Sequence, residues 1–317
     1  IIDFLTVHGF SETAVADVLL LQDYAQASQD WQEALLAVCR YICTELAPAL
    51  AKTSQEITNT LRALQGEYIE PAPAGAPTSG RADVLPTGRN FYGVDPRLLP
   101  TKPAWEISRK MADDMVTDYI AQEGCYPETV GIILWAGANM RTCGECIGEF
   151  LYLMGVRPIW QRGSERVIGL EAISLDELKR PRIDVVGRIS GLLRDSMPSV
   201  VSLLDQAAKL AASLDETHTV NFVRKHVEEE TKALVVEGVD SEKAKRLASL
   251  RVFGCPPGGY GAGVANVLEE KNWETVDDLA QVYVRWGAHA YGGGAHGDYV
   301  PDAFKRRLST IDVTIHN

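Results

Sequence analysis

Thr129-Val130-Gly131-Ile132-Ile133-Leu134-Trp135 is the most telling stretch of the chain. The run is short and almost wholly apolar, the pattern of a strand buried on both faces, because an exposed face would alternate with polar residues. On either side of it, Ala104–Gln122 reads as an amphipathic helix before the strand, and Gly144–Met154 as a helix after it. Short strands are expected at Arg157–Trp160, Val167–Leu170 and Arg182–Val186, then a helix over Ser199–Leu214. Leu250–Phe253 reads as a strand, Val264–Glu269 and Val276–Tyr291 as helices, and Asp312–Ile315 closes the series as a strand. Strand and helix signals that alternate in this way predict an α/β fold, a largely parallel sheet with helices on both faces.

Two further regions precede that alternation. Residues 1–66 read as a helical N-terminal segment: apolar positions recur at helical spacing from Ala34 to Leu46, and Gly66 supplies a stop. Cys39 and Cys43 lie one turn apart on that pattern, as small buried hydrophobes. Residues 67–103 form a long Pro/Gly-rich loop. Seven of the 15 prolines fall there, so it holds neither a helix nor a central strand. It carries Arg81, Asp83, Arg89, Asn90, Phe91, Tyr92 and Asp95, too much chemistry for a bland linker, which argues for an ordered loop over a site. The α/β domain then spans 104–317.

Composition excludes several classes of function. The formal charge is −12, from 31 Lys and Arg against 43 Asp and Glu, which leaves no basic footprint for nucleic acid. No uninterrupted apolar run approaches the roughly 18 residues of a membrane span. Six cysteines are too few for a disulfide scaffold and point to a reducing, cytoplasmic compartment. The chain opens Ile1-Ile2-Asp3, without Met or a leader pattern, and reads as part of something longer.

Three motifs could carry chemistry. Gly254–Gly263 follows a strand and precedes a helix, as a phosphate-binding turn would. Its spacing fits neither G-x-G-x-x-G nor a Walker loop, which leaves a structural turn or a close approach of backbone to another ligand. Cys143-Gly144-Glu145-Cys146 sits at a helix start after a strand, where thiols are activated, although a structural zinc would need a second pair. His289 and His296 flank Gly292-Gly293-Gly294 and could converge only if that loop folds back. No G-x-S-x-G elbow is present.

Longer segments add a resemblance. They include Leu85-Pro86-Thr87-Gly88-Arg89-Asn90-Phe91-Tyr92, Ala138-Asn139-Met140-Arg141-Thr142 and Tyr152-Leu153-Met154-Gly155-Val156-Arg157-Pro158. Arg180–Val185, Ile189-Ser190-Gly191 with Arg194-Asp195, Asn221–His226, Gly258–Gly263 and Trp286–Gly292 continue the series. In that order they resemble the large, tetrapyrrole-binding subunit of the ATP-dependent cobaltochelatase and magnesium chelatase family, from about residue 35 onward. Members of that family are longer at both ends, so the chain reads as a fragment.

The resemblance implies a ligase forming nitrogen–metal bonds, active only with AAA+ ATPase partner subunits. Its substrates would be a tetrapyrrole and a divalent metal, Co2+ or Mg2+, with ATP bound by the partners and not here. Glu145 or His226 would accept protons leaving the ring. Arg89, Arg141, Arg182 and Arg224 would pair with ring carboxylates. Asn90, Tyr92, Asn139 and Tyr291 fall in matched motifs. The motif around Arg89–Tyr92 is more like the cobalt branch, which implies insertion of cobalt into hydrogenobyrinic acid a,c-diamide in cobalamin biosynthesis. Alternatives are magnesium insertion into protoporphyrin IX, or a tetrapyrrole or metal carrier using Cys143 and Cys146, with His289 as a further weak ligand.

Overall fold

The computed structural model describes residues 29–73, 82–92, 94–162 and 164–316. It divides into two compact units, residues 1–93 and 94–317. Readings that fall on residues 1–28, and Arg81, lie outside the described residues.

In the first unit, helices α1 (Gln29–Tyr41), α2 (Ala47–Ala51) and α3 (Gln55–Leu64) follow one another through a π turn at Ile42–Leu46 and a 3-10 turn at Lys52–Ser54. Gly66 follows with φ +79, a left-handed stop that glycine adopts without strain. Cys39 and Cys43 are buried, as the spacing predicts. The Pro/Gly-rich loop contributes two short parallel strands, β1 (Pro71–Pro73) and β2 (Asn90–Tyr92). One expectation changes here. The helical run Glu33–Leu64 is long and apolar enough to cross a membrane by length and composition. Its charges are spaced out, so it escapes a search for uninterrupted apolar residues. A helix packed inside a larger protein passes the same test.

The second unit is built on a six-stranded sheet with order β10-β3-β6-β7-β8-β9. Strands β3 (Thr129–Leu134), β6 (Asp184–Ile189), β7 (Val252–Gly254) and β10 (Val313–His316) are parallel, while β8 (His289–Gly292) and β9 (Ala295–Tyr299) run antiparallel at one edge. Alternation along β6 sends neighbouring residues to opposite faces. Val185 and Ile189 enter the large core under α4 (Lys102–Glu123), α6 (Glu145–Leu153) and α9 (Pro198–Ser213), together with Phe150, Leu151 and Leu204. Val186 enters the smaller core on the other face with Phe253, Ala288 and Phe304, under α13 (Val276–Gly287) and α14 (Pro301–Leu308).

Between these elements run α5 (Ala136–Thr142), α7 (Leu175–Leu178), α8 (Gly191–Ser196), α10 (Phe222–Val236), α11 (Ser241–Ala248) and α12 (Val264–Glu269). Strands β4 (Val156–Trp160) and β5 (Val167–Ala172) form their own antiparallel pair and leave the main sheet. The helix expected to run to Tyr291 stops at Gly287, because the chain must turn back into the β8–β9 hairpin around Gly292–Gly294. Tyr291 is therefore a strand residue.

Candidate functional site at the β3–β10 crevice

Strand order reverses at β3. The chain leaves β3 toward β6 on one side, whereas β10 returns on the other. At such a point the connections diverge and open a crevice beyond the carboxyl ends of the strands, the place where open α/β sheets take ligands. Trp135 follows β3 there and His316 ends β10. The indole Nε1 donates to His316 Nε2 at 3.0 Å, which pins the two strand ends together.

Glu145 and Glu149 lie beside this crevice, one turn apart on α6. Gly144 (φ +96) allows the chain to turn into the helix, and a Cβ there would lie 2.9 Å from the Cα of Pro100. A Cβ on Gly148 would lie 2.4 Å from Ser108 Oγ, so α6 and α4 pack too closely for any larger residue. Glu149 lines an open groove of about 840 Å³ with Met111, Asp118 and Tyr119 of α4 and with Val313 and His316 of β10.

The carboxyls are poised by their surroundings. Glu149 is 2% exposed, and its Oε2 is buried with no partner among the described residues. Burial first, and the neighbouring Glu145 charge second, push its pKa from 4.5 up to about 7. Burial also raises Glu145, which is half-buried in the first turn of its helix. A carboxyl near neutrality beside a second one can take up and release protons at physiological pH.

The remaining expected residues are scattered. His226 sits at the opposite end of the strands, its Nδ1 2.9 Å from Asp184 Oδ2 and its Nε2 3.1 Å from Glu128 Oε2. Burial would raise Asp184, but Arg251 and His226 outweigh it and hold the carboxyl at about 2. Arg182 is 1% exposed and fully engaged: it meets Glu216 at 2.7 and 2.9 Å and also donates to the carbonyls of Gly155 and Ile173. Arg224 pairs with Asp215 and Glu228. Both guanidiniums are engaged by carboxylates of this chain.

Arg141 is exposed at the end of α5, and Asn139 is buried with Nδ2 donating to the Trp135 carbonyl at 2.9 Å. Tyr291 donates from its hydroxyl to the Cys255 carbonyl at 2.5 Å and so braces the glycine-rich turn. Arg194 holds the same turn through the carbonyls of Cys255, Pro256 and Gly259. Arg89, in the first unit, spends its Nε on the Pro86 carbonyl at 3.1 Å, and Asn90 and Tyr92 lie on β2. Cys143 adopts φ 55 at the end of α5 and Cys146 is buried on α6. No group of three or more His, Cys, Asp or Glu side chains suited to a metal ion occurs among the described residues.

The fold is an α/β domain with two carboxyls, Glu145 and Glu149, beside its sheet reversal. Residues 6–317 match the model of the CobN/Magnesium Chelatase family, and the chain belongs to that family. It is 44% identical to the aerobic cobaltochelatase subunit CobN of a Sinorhizobium species, over 89% of the chain and 22% of that protein. It is 33% identical to a magnesium-chelatase subunit of Chlorobaculum parvum, over 84% of the chain and 20% of that protein. The catalytic subunit of cobaltochelatase from Mycobacterium tuberculosis has the same fold, with TM-score 0.79 and 44% identity over 88% of the chain and 23% of that structure. The chain thus spans about a fifth of the length of these relatives.

Proposed function

We propose that this chain is a catalytic part of the large subunit of a metal chelatase, which inserts a divalent metal into a metal-free tetrapyrrole. The observation that carries the reading is the Glu145–Glu149 pair at the sheet reversal, with Glu149 buried, unpartnered and titrating at about 7. Metal insertion expels two ring N–H protons, and a carboxyl pair near neutrality is suited to receive them as they leave. Glu145 and Glu149 take this role better than His226, which is enclosed between two carboxylates at the far end of the strands.

Cobalt and the corrinoid hydrogenobyrinic acid a,c-diamide are the proposed substrates. Support comes from 44% identity to a cobaltochelatase subunit against 33% to a magnesium-chelatase subunit. ATP hydrolysis is assigned to AAA+ partner subunits. The proposed compartment is the cytoplasm, in keeping with six free cysteines. An absorbance and fluorescence titration of the full-length subunit with the metal-free corrinoid and with protoporphyrin IX tests the reading. Saturable binding of the corrinoid alone supports it; preference for the porphyrin moves the assignment to the magnesium branch, and binding of neither refutes it.

A further inference from the structure

Arg188 occupies the C-terminal half of β6 and pairs across the ladder with Phe253 of β7. Two residues from Val186, it shares that residue's face, toward the smaller core and α13. A half-buried guanidinium here is costly unless a counter-charge or hydrogen-bond acceptors compensate it. Other arginines of this domain are compensated: Arg251 by Asp184, Arg182 by Glu216, and Arg194 by Asp195 and three carbonyls. Arg188 has no carboxylate and no hydrogen-bond acceptor among the described residues, and its Nη1 is buried without a partner. The guanidinium rests over the Tyr283 ring, 5.3 Å from its centroid, and would lie 3.4 Å from a Cβ on Gly287.

The junction between α13 and β8 carries two more polar atoms in the same condition. Trp286 Nε1 and His289 Nδ1 are both buried and without a hydrogen-bonded partner. Burial lowers the proton affinity of His289, the backbone of Trp286 partly restores it, and the charge of Arg188 lowers it again. Guanidinium and imidazole thus share one electrostatic neighbourhood. The glycine-rich turn closes over this corner: a Cβ on Gly263 would lie 2.9 Å from Trp286 Cγ. Arg188 Nη1 and Trp286 Nε1, both buried without an acceptor, together with an imidazole whose Nδ1 is unsatisfied while its ring leans on the Trp286 backbone, form a donor set for an oxyanion.

We propose that Arg188, at the junction of α13 and β8 that also carries the unsatisfied Trp286 Nε1 and His289 Nδ1, is a binding site for an oxyanion, a carboxylate side group of the macrocycle. The identity of the ligand rests on the tetrapyrrole reading above, whereas the oxyanion site rests on the orphaned donors alone. Strand β6 is the neighbour of β3, about 4.8 Å away. Arg188 lies one residue before the carboxyl end of β6 and on the face opposite α6, so a ring seated over the strand ends, with one edge toward Glu145, would reach it by a carboxylate extended past those ends. The glycine-rich turn gains a role in this reading, as backbone brought against the donor that borders the ligand.

The test uses the full-length subunit, Arg188→Met and Arg188→Lys, with three probes: the free-acid metal-free corrinoid, its methyl ester, and inorganic phosphate. Arg188→Met should weaken binding of the free acid roughly tenfold or more and leave the ester unchanged, with Arg188→Lys between. Because Arg188 is uncompensated, the ligand-free Arg188→Met protein should melt no lower than the parent. His289 is followed by NMR during the phosphate titration. Saturable phosphate binding that raises the His289 pKa only when Arg188 is present, with no corrinoid bound, keeps the oxyanion site and removes the macrocycle. Unchanged free-acid affinity in both variants, with His289 insensitive to phosphate, overturns the site. A melting point lowered by several degrees in both ligand-free variants makes Arg188 structural and overturns it too.

Discussion

Replacing Glu149 with Gln should stabilise the protein above neutral pH and leave it unchanged in acid. Glu149 carries a carboxyl whose pKa rises from 4.5 to about 7 on folding, because burial and Glu145 penalise its charged form. The sign follows from proton linkage. Between those two values the native state holds a proton that the unfolded chain releases, so stability falls as pH rises through the window. At 1.36 kcal/mol per pH unit, the full cost of ionising the buried carboxyl is about 3 kcal/mol. Gln keeps the shape, carries no charge and removes that cost, less a smaller penalty for its own unpartnered amide. Urea unfolding of the 317-residue chain, followed by intrinsic fluorescence at pH 5 and pH 8, checks this. The variant should gain roughly 2 kcal/mol over the parent at pH 8 and nothing at pH 5. Equal stabilities of variant and parent at both pH values would rule out the raised pKa and, with it, the proton-handling role of the pair.

Other substitutions probe the same geometry. Asp184→Asn strands Arg251 and His226 without their carboxylate and should cost about 3–5 kcal/mol in denaturant unfolding, while leaving the secondary structure seen by circular dichroism intact. Asp184 titrates at about 2, below its ordinary 3.8, so the parent should lose stability as pH falls through that interval and Asp184→Asn should not. Gly144→Ala places a Cβ 2.9 Å from Pro100 Cα at φ +96, and a loss of about 1–3 kcal/mol is expected in urea unfolding. Glu145→Gln in the full-length subunit should slow metal insertion by roughly 10²–10⁴ while ring affinity, measured by fluorescence, changes little.

The residues differ in how openly they announce these roles. Thr129–Trp135 reads directly as a buried strand because both of its faces are apolar, and Ala104–Gln122 as an amphipathic helix; the observed elements are Thr129–Leu134 and Lys102–Glu123. The crevice is not legible in this way. It depends on β10 pairing with β3, Val313 opposite Val130, across a sequence separation that no local pattern encodes. Val156–Trp160 and Val167–Ala172 carry clear strand signals, but nothing local tells that they pair only with each other. The helical pattern that starts at Val276 runs on into Tyr291, because the hairpin turn is made by glycines with no periodicity of their own.

Within the site, Glu145 stands out through the family resemblance, and the spacing of Glu149 one turn later is the available signal for its partner. What the sequence withholds is burial. Arg182 and His226 belong to matched motifs, yet their side chains pair with Glu216 and Asp184 from distant segments, while Arg224 pairs with the nearby Asp215 and Glu228. Arg188 escapes notice for the converse reason: an arginine in a strand looks ordinary until its missing partner is seen.

Proton transfer to the glutamate pair is tested most directly by single-turnover metal insertion with the full-length subunit, its ATPase partners, ATP, Co2+ and the metal-free corrinoid. The parent is compared with the variant carrying both Glu145→Gln and Glu149→Gln. Insertion should slow by roughly a hundredfold or more, with corrinoid affinity nearly unchanged. Insertion at the parental rate by the double variant would contradict the assignment of the pair as the proton acceptor.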